Sequence, residues 1–329
     1  MAVYPAAGYQ PETSFQIGAI AVVVVPSNNQ SGYDRPTSIT PFVLYTFKNQ
    51  VLSAINADIF FKNGINLEIS PRYFNYPDNY YGIGNDNDPD AFEKYTNRFW
   101  QLEGRLFKPL NDKTFVGLSF DLQNNKLKDL EEGGRLDSEL INGVDGGNNI
   151  GIGPAFKYDS RDNTLYPTDG YLISAQVRTS QLGDFSYTNY QLDFRKYLSF
   201  GSDKNVLAFN VNTNFTSGDN VPFYKLPQLG GDERLRGIAN ASLYRDKQSF
   251  YAQTEYRRHL FWRVGVVAFL GVGDVAEIVS DYNFNEFKYV AGVGYRFAAI
   301  KDQKLNLRFD FGVSRGGQTA FYLGMREAF

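Results

Sequence analysis

Gly230-Gly231-Asp232-Glu233-Arg234-Leu235-Arg236-Gly237-Ile238 sits in the middle of a connection, Ser217 to Asp246, that interrupts a regular succession of alternating apolar and polar segments. A glycine pair, two acids and two arginines are more than a turn requires. Connections longer than about 12–15 residues are uncommon in compact domains and are either functional or disordered. The flanking segments decide which. On the amino side, Leu207, Phe209 and Val211 alternate with Asn210, Asn212 and Asn214. On the carboxyl side, Gln253, Glu255 and Arg257 share one parity of a period-two segment. Strict alternation is the pattern of a β-strand with two unlike faces.

The same period runs through the whole chain and divides it into sixteen strand-length segments. They are Ala2 to Tyr9, Phe15 to Pro26, Thr37 to Lys48, Val51 to Lys62, Ile65 to Tyr76, Tyr95 to Phe107, Lys113 to Asn124 and Asn148 to Asp159. Then come Gly170 to Ser180, Ser186 to Leu198, Asn205 to Ser217, Lys247 to His259, Arg263 to Asp274, Glu286 to Ala298, Lys304 to Ser314 and Thr319 to Phe329. Turn chemistry separates them at Gln10 to Thr13, Asn49-Gln50 and Asn63-Gly64. Alternation is clearest late in the chain, where Leu305, Leu307, Phe309, Phe311 and Val313 oppose Asn306, Arg308, Asp310, Gly312 and Ser314. Near the start, Leu67 and Ile69 oppose Asn66, Glu68, Ser70 and Arg72.

A water-soluble sandwich alternates in the same way, so the connections carry the distinction. Ser27 to Pro36, Asn63-Gly64, Lys108 to Asp112, Ser160 to Asp169, Ser199 to Lys204, Leu260 to Trp262 and Ala299 to Gln303 are short to moderate and fall on one side. Pro77 to Lys94, Asn125 to Gly147 and Ser217 to Asp246 are long, rich in Gly, Asn and Asp, and fall on the other. Short turns on one side and long loops on the other mark an outer-membrane barrel, and an even strand number agrees. The expected architecture is a single all-β domain over residues 1–329, a 16-stranded antiparallel transmembrane barrel. Its amino terminus and short turns are placed in the periplasm.

Composition narrows the function classes. The chain has 329 residues, a formal net charge of -3, no cysteine and one histidine, with 28 Phe, 23 Tyr and 31 Gly. The absence of cysteine removes disulfides, thiolate metal sites and a cysteine nucleophile. A weak negative charge argues against nucleic-acid binding. No run reaches the ~20 apolar residues of a spanning helix, and the mean hydropathy is -0.37, as a polar interior behind an apolar wall would give. No basic and apolar leader opens the chain, so any export signal is expected to have been removed. One histidine supports neither a histidine triad nor a metal cluster, and no glycine-rich phosphate loop opens a helix. A non-enzyme without cofactor or metal is expected, in contact with outer-membrane lipids. His259, beside Phe261 and Trp262, reads as a membrane-interface residue.

These residues resemble the bacterial surface antigen family, the BamA/TamA superfamily of outer-membrane assembly and secretion barrels. Leu235-Arg236-Gly237-Ile238 is similar to that family's (Val/Ile)-Arg-Gly-(Phe/Tyr) motif, and Gly230-Gly231 to its glycine pair. Tyr158-Asp159-Ser160-Arg161-Asp162 running to Pro167-Thr168-Asp169-Gly170 resembles the family's turn, three strands earlier. Phe329 stands where the terminal phenylalanine of the barrel signal is found, with Glu327 on the lipid-facing parity where an apolar residue is usual.

The resemblance implies that the long connection is loop six, folded back into the lumen, where Arg236 meets acids on the twelfth and thirteenth strands. Glu255 matches the first acid. Gly271 stands where the second belongs, and Asp274 has the wrong parity. An Arg236–Glu255 pair without a second carboxylate from the thirteenth strand is therefore expected, with Asp232 or Asp310 as helpers. Arg236 reads equally as a plain latch, Glu255 as lumen lining, and Asp159 and Asp162 as holders of a turn.

The resemblance also implies insertion or translocation through a seam between the first and last strands. Ala2 to Tyr9, short and carrying Pro5, suits a weak edge. The family's periplasmic polypeptide-transport-associated domains find no room in 329 residues, so client capture is expected to need a partner protein. The other reading is a passive pore or a structural subunit of a larger complex. There loop six is a plug, and Asn210, Asn212 and Arg308 line a solute path.

Overall fold

The computed structural model describes residues 2–10, 14–25, 36–138, 141–300 and 305–329. All sixteen expected strands are present. In chain order they are β1 (Ala2–Gln10), β2 (Ser14–Val25), β3 (Thr37–Thr46), β4 (Val51–Phe60), β5 (Asn66–Tyr80), β6 (Glu93–Pro109), β7 (Thr114–Lys128) and β8 (Gly147–Asp159). They continue as β9 (Gly170–Ser180), β10 (Ser186–Phe200), β11 (Ser202–Asn220), β12 (Gln248–Phe261), β13 (Val264–Ala276), β14 (Lys288–Ile300), β15 (Leu305–Ser314) and β16 (Thr319–Met325). They form one antiparallel sheet in which every strand pairs with its sequence neighbours. The two edge strands, β1 and β16, lie side by side, yet no backbone ladder joins them among the described residues.

The distribution of polarity across the sheet is the inverse of a soluble sandwich. Leu270 and Val293 are each 60% exposed, and Phe209, Phe311 and Trp100 also face outward. On the opposite parity Glu255 and Asp310 are fully buried, with Arg257 and Arg308 almost so. An outward apolar band around a polar interior is stable only when the outer surface meets hydrocarbon. Aqueous burial would select the reverse.

Three loop boundaries differ from the reading of the sequence, each because a hairpin continues past the last clean alternation. β5 and β6 stay in register as far as Tyr80 opposite Glu93. There Tyr80 and Tyr95 pack edge-on against Phe223, at 5.3 and 5.5 Å between ring centroids. The loops shrink to 81–92, 129–146 and 221–247. Leu136, Val144, Phe185, Tyr187 and Val221 join the same aromatic cluster, so four long-side connections share one core. The Gln10 to Thr13 turn and the Ser27 to Pro36 and Ala299 to Gln303 connections lie largely outside the described residues.

The end of the chain departs most. β16 stops at Met325, and Arg326 takes a left-handed φ of 67°, rare for a residue with a side chain. Beyond it the chain leaves the strand, and residues 327–329 are all buried. Glu327, expected to face lipid, is buried against Arg296 at 2.7 Å. Phe329, expected to end the last strand, packs with Tyr197, Ala208 and Ala328. A carboxylate on the lipid face costs free energy that grows with depth, and an arginine on the polar face removes that cost.

Candidate functional site

The β11–β12 connection is held by side chains from strands far apart in the sheet. Near its start, Lys225 pairs with Asp121 of β7 at 2.6 Å. Further on, the Arg308 Nη2 of β15 reaches Asp232 Oδ2 at 2.8 Å, and Gln253 Nε2 donates to the Glu233 carbonyl at 2.9 Å. Leu235 and Ile238 bury among Leu229, Tyr251, Val275 and Val290. Tyr322 of β16 donates to the Ile238 carbonyl at 3.1 Å. Gly237, at φ 134°, lies so close to β15 that a Cβ would sit 2.8 Å from the Val313 oxygen.

Arg236 is the centre of this arrangement. It binds the Glu255 carboxylate of β12 and, through Nη1, Asp310 Oδ2 of β15 at 2.5 Å. Its guanidinium lies 4.0 Å from the Phe269 ring centroid, a cation–π contact strengthened by desolvation. The expected Glu255 partner is therefore in place. The second carboxylate comes from β15, where Asp310 is one of the two expected helpers, while the other, Asp232, serves Arg308. Gly271 leaves space for the loop. A Cβ there would meet Leu235 Cδ2 at 2.6 Å. The acid the family pattern places on β13 has thus been exchanged for room to seat an apolar residue.

The acids and arginines close into a ring that alternation alone did not reveal. From Glu255 the ring runs to Arg257 (2.7 Å), from Arg257 to Glu327 (3.8 Å), and on to Arg296 (2.7 Å). Arg296 meets Asp310 at 2.6 Å, and Asp310 returns to Arg236. The ring joins β12, β14, β15, the loop and the segment after β16. A buried charge without a partner is strongly destabilising, and here each finds one. Arg257, Arg296 and Glu327 were missed. Arg257 and Arg296 do share the inward parity of their strands, which is the signal that was available. Glu327 carried none, because the chain leaves the strand at Arg326.

Two of the three candidate pore residues, Asn210 and Arg308, are engaged as well. Asn210 donates to Asp193 at 2.7 Å and accepts from Gln253 at 3.1 Å, and Arg308 is held by Asp232. Open space lies elsewhere, in a cavity of about 390 Å³ whose lining includes Asp58, Glu68, Arg105, Ser174, Asp193 and Arg195.

Asp159 and Asp162 form a separate turn. Arg161 Nε and Nη2 clasp Asp159 at 3.0 and 2.9 Å. Burial opposes the charge on Arg161, but the Asp159 carboxylate outweighs it and holds the pKa above its ordinary value. Asp162 accepts from the Thr168 amide, the Thr168 hydroxyl and the Asp169 amide at 2.8, 2.6 and 3.1 Å. Pro167 is buried, and Gly170 opens β9 at φ 103°. These bonds are internal to the turn, which fits the holding role. Asp162→Ala is expected to cost about 1–3 kcal/mol, the range for a charged acceptor's hydrogen bonds. The check is faster protease cleavage between residues 160 and 169 with the barrel otherwise intact. His259, its Nε2 3.2 Å from the Trp262 carbonyl, lies two residues before the end of β12, near the exposed Phe261 and Trp262.

Sixteen strands, an apolar outer face and a buried polar face define an outer-membrane β-barrel protein. The Omp85 superfamily domain matches residues 45–329, and the chain belongs to that superfamily. Among solved structures it is similar to BamA from Haemophilus ducreyi lacking POTRA domains 1-3, at TM-score 0.66 and 15% identity, covering 99% of this chain and 70% of that one. It is also similar to CdiB from Acinetobacter baumannii, at TM-score 0.60 and 13% identity, covering 98% of this chain but 58% of that one. At these identities the likeness is one of fold. No curated protein matches by sequence. The protein is a bacterial outer-membrane protein with a BamA-like barrel.

Proposed function

We infer that this barrel assists the insertion or secretion of other proteins at the outer membrane, acting with a partner that delivers clients. The observation that carries this reading is the seam: β1 and β16 lie alongside each other without a ladder among the described residues. Unpaired strand edges are templates for strand addition, and a wall in which every other pair of neighbouring strands is joined by a ladder would open there first. Loop six, in this reading, crosses the lumen of the closed barrel and braces the wall from β12 to β16, up to one edge of the opening. The barrel is not an enzyme, and its periplasmic side carries the short turns.

The alternative is a passive pore or structural subunit with loop six as its plug. The number of contacts holding the loop, from Lys225 to Ile238, favours that role for the loop itself.

The seam gives the test. The chain has no cysteine, so one cysteine in β1 and one in β16 can be joined without ambiguity. A disulfide there is expected to abolish client insertion in reconstituted vesicles, and reductant to restore it. Full activity in the cross-linked protein would eliminate the seam mechanism.

A further inference from the structure

The segment after β16 occupies a cradle that resembles a receptor site holding its own chain. Glu327 accepts from Arg296 Nε at 2.7 Å and Asn306 Nδ2 at 2.8 Å, with Arg257 Nε at 3.8 Å. Two residues on, the Phe329 main-chain oxygen accepts from Arg257 Nη2 at 2.9 Å. Its ring lies 5.3 Å from the Arg257 guanidinium and packs on Tyr197. Acid and aromatic thus each have a place, on side chains from β10, β12, β14 and β15.

The occupant does not saturate the cradle. Arg257 Nη1, Arg296 Nη2 and the Tyr197 hydroxyl are buried without a hydrogen-bond partner. A buried donor left without an acceptor is destabilising. Glu327 uses Arg296 through Nε alone, whereas a carboxylate docked side-on would engage Nε and Nη2 together in the stronger two-pronged geometry. The segment also reaches the site through the left-handed Arg326, a conformation that stores strain. A cavity of about 270 Å³ adjoins the cradle, lined in part by Arg257, Arg296, Asn306, Tyr166, Lys204 and Trp262. Lys204 and Trp262 belong to the short-turn end, which gives a ligand a way in.

We propose that Arg257, Arg296 and Asn306 form a carboxylate-recognition site that residues 326–329 occupy in self-bound form. It takes an acidic segment of another polypeptide, an acid two residues before an aromatic, when those residues leave. Displacing Glu327 removes one carboxylate from the charge ring and the incoming acid restores it, so the exchange keeps the buried charges balanced. The site needs no transport activity to be measured, so its failure would leave the seam reading standing.

The test titrates detergent-solubilised barrel with a fluorescent peptide of the sequence Met-Arg-Glu-Ala-Phe and with its Gln counterpart. Folding is checked by heat-modifiable gel mobility. In a Glu327→Ala, Phe329→Ala variant the Glu peptide is expected to bind about tenfold or more tightly than the Gln peptide, the ratio a lost charged hydrogen bond produces. The intact chain should bind it at least about tenfold more weakly than the variant, because the site is filled. Adding Arg296→Gln should remove the discrimination. If the double variant does not fold, Glu327→Gln alone is titrated the same way. Equal binding of the two peptides, or none by a folded variant, overturns the proposal.

Discussion

Arg236→Ala is expected to destabilise the barrel by about 3 kcal/mol or more, and to raise its ion conductance in planar bilayers. The first effect follows from charge. Arg236, Arg257, Arg296 and Arg308 face Glu255, Asp310, Glu327 and Asp232 in one connected network. Removing one member leaves a net buried negative charge, a change that typically costs about 3–5 kcal/mol. Glu255 keeps Arg257 and Asp310 keeps Arg296, so the lower end of that range is expected. The second effect follows from the anchors: without Arg236, the middle of the loop is tied to β12 and β15 through Gln253 and Arg308. Arg236→Lys should recover only part of both, because a single ammonium cannot serve two carboxylates as a planar fork does. Urea unfolding in micelles reads the first effect and single-channel recording the second. Raised conductance with unchanged client insertion would favour the plug over the insertase.

Gly271→Asp, which restores the acid of the family pattern, is expected to destabilise by about 2 kcal/mol rather than strengthen the Arg236 site. The added Cβ would lie 2.6 Å from Leu235 Cδ2 and 3.1 Å from Val290 Cγ2. Overpacking of that kind costs about 1–3 kcal/mol, and the new carboxylate unbalances a network already neutral. The cost should not add to that of Leu235→Ala, since the smaller residue vacates the place the new atoms need. A double-mutant cycle by urea unfolding measures this coupling. A stabilising Gly271→Asp would mean that Arg236 lacks a carboxylate, contrary to its contact with Asp310.

How much of this was legible in the sequence depends on the distance over which each signal acts. Period two in β11, β12 and β15 is local, and it fixed which face each residue takes. Glu255 was therefore identifiable as the partner of Arg236. Asp310 was visible only as one of two possible helpers beside Asp232, because its pairing depends on how far the loop reaches across β13 to β15. The space at Gly271 read as a missing acid; its packing against Leu235 is a property of the folded loop. The hairpin extension to Tyr80 and Glu93 was hidden because its alternation is blurred and its stabilisation comes from Phe223, more than a hundred residues away. Glu327 and Phe329 were assigned to the wrong face because one left-handed residue, Arg326, breaks the period. Backbone reversals of that kind are set by where a charge can find a partner.

The most direct measurement is whether the loop rests against the inner face of the last strand. Ala239 of the loop and Ala320 of β16 share a buried cluster with Tyr322, and the chain offers no competing cysteine. Ala239→Cys with Ala320→Cys, oxidised in native outer membranes, should give a disulfide in most of the folded protein, and less of it when Arg236→Ala is added. A folded barrel in which the two introduced thiols remain unlinked, and the one replacing Ala239 reacts freely with a membrane-impermeant thiol reagent, would contradict a loop latched inside by Arg236.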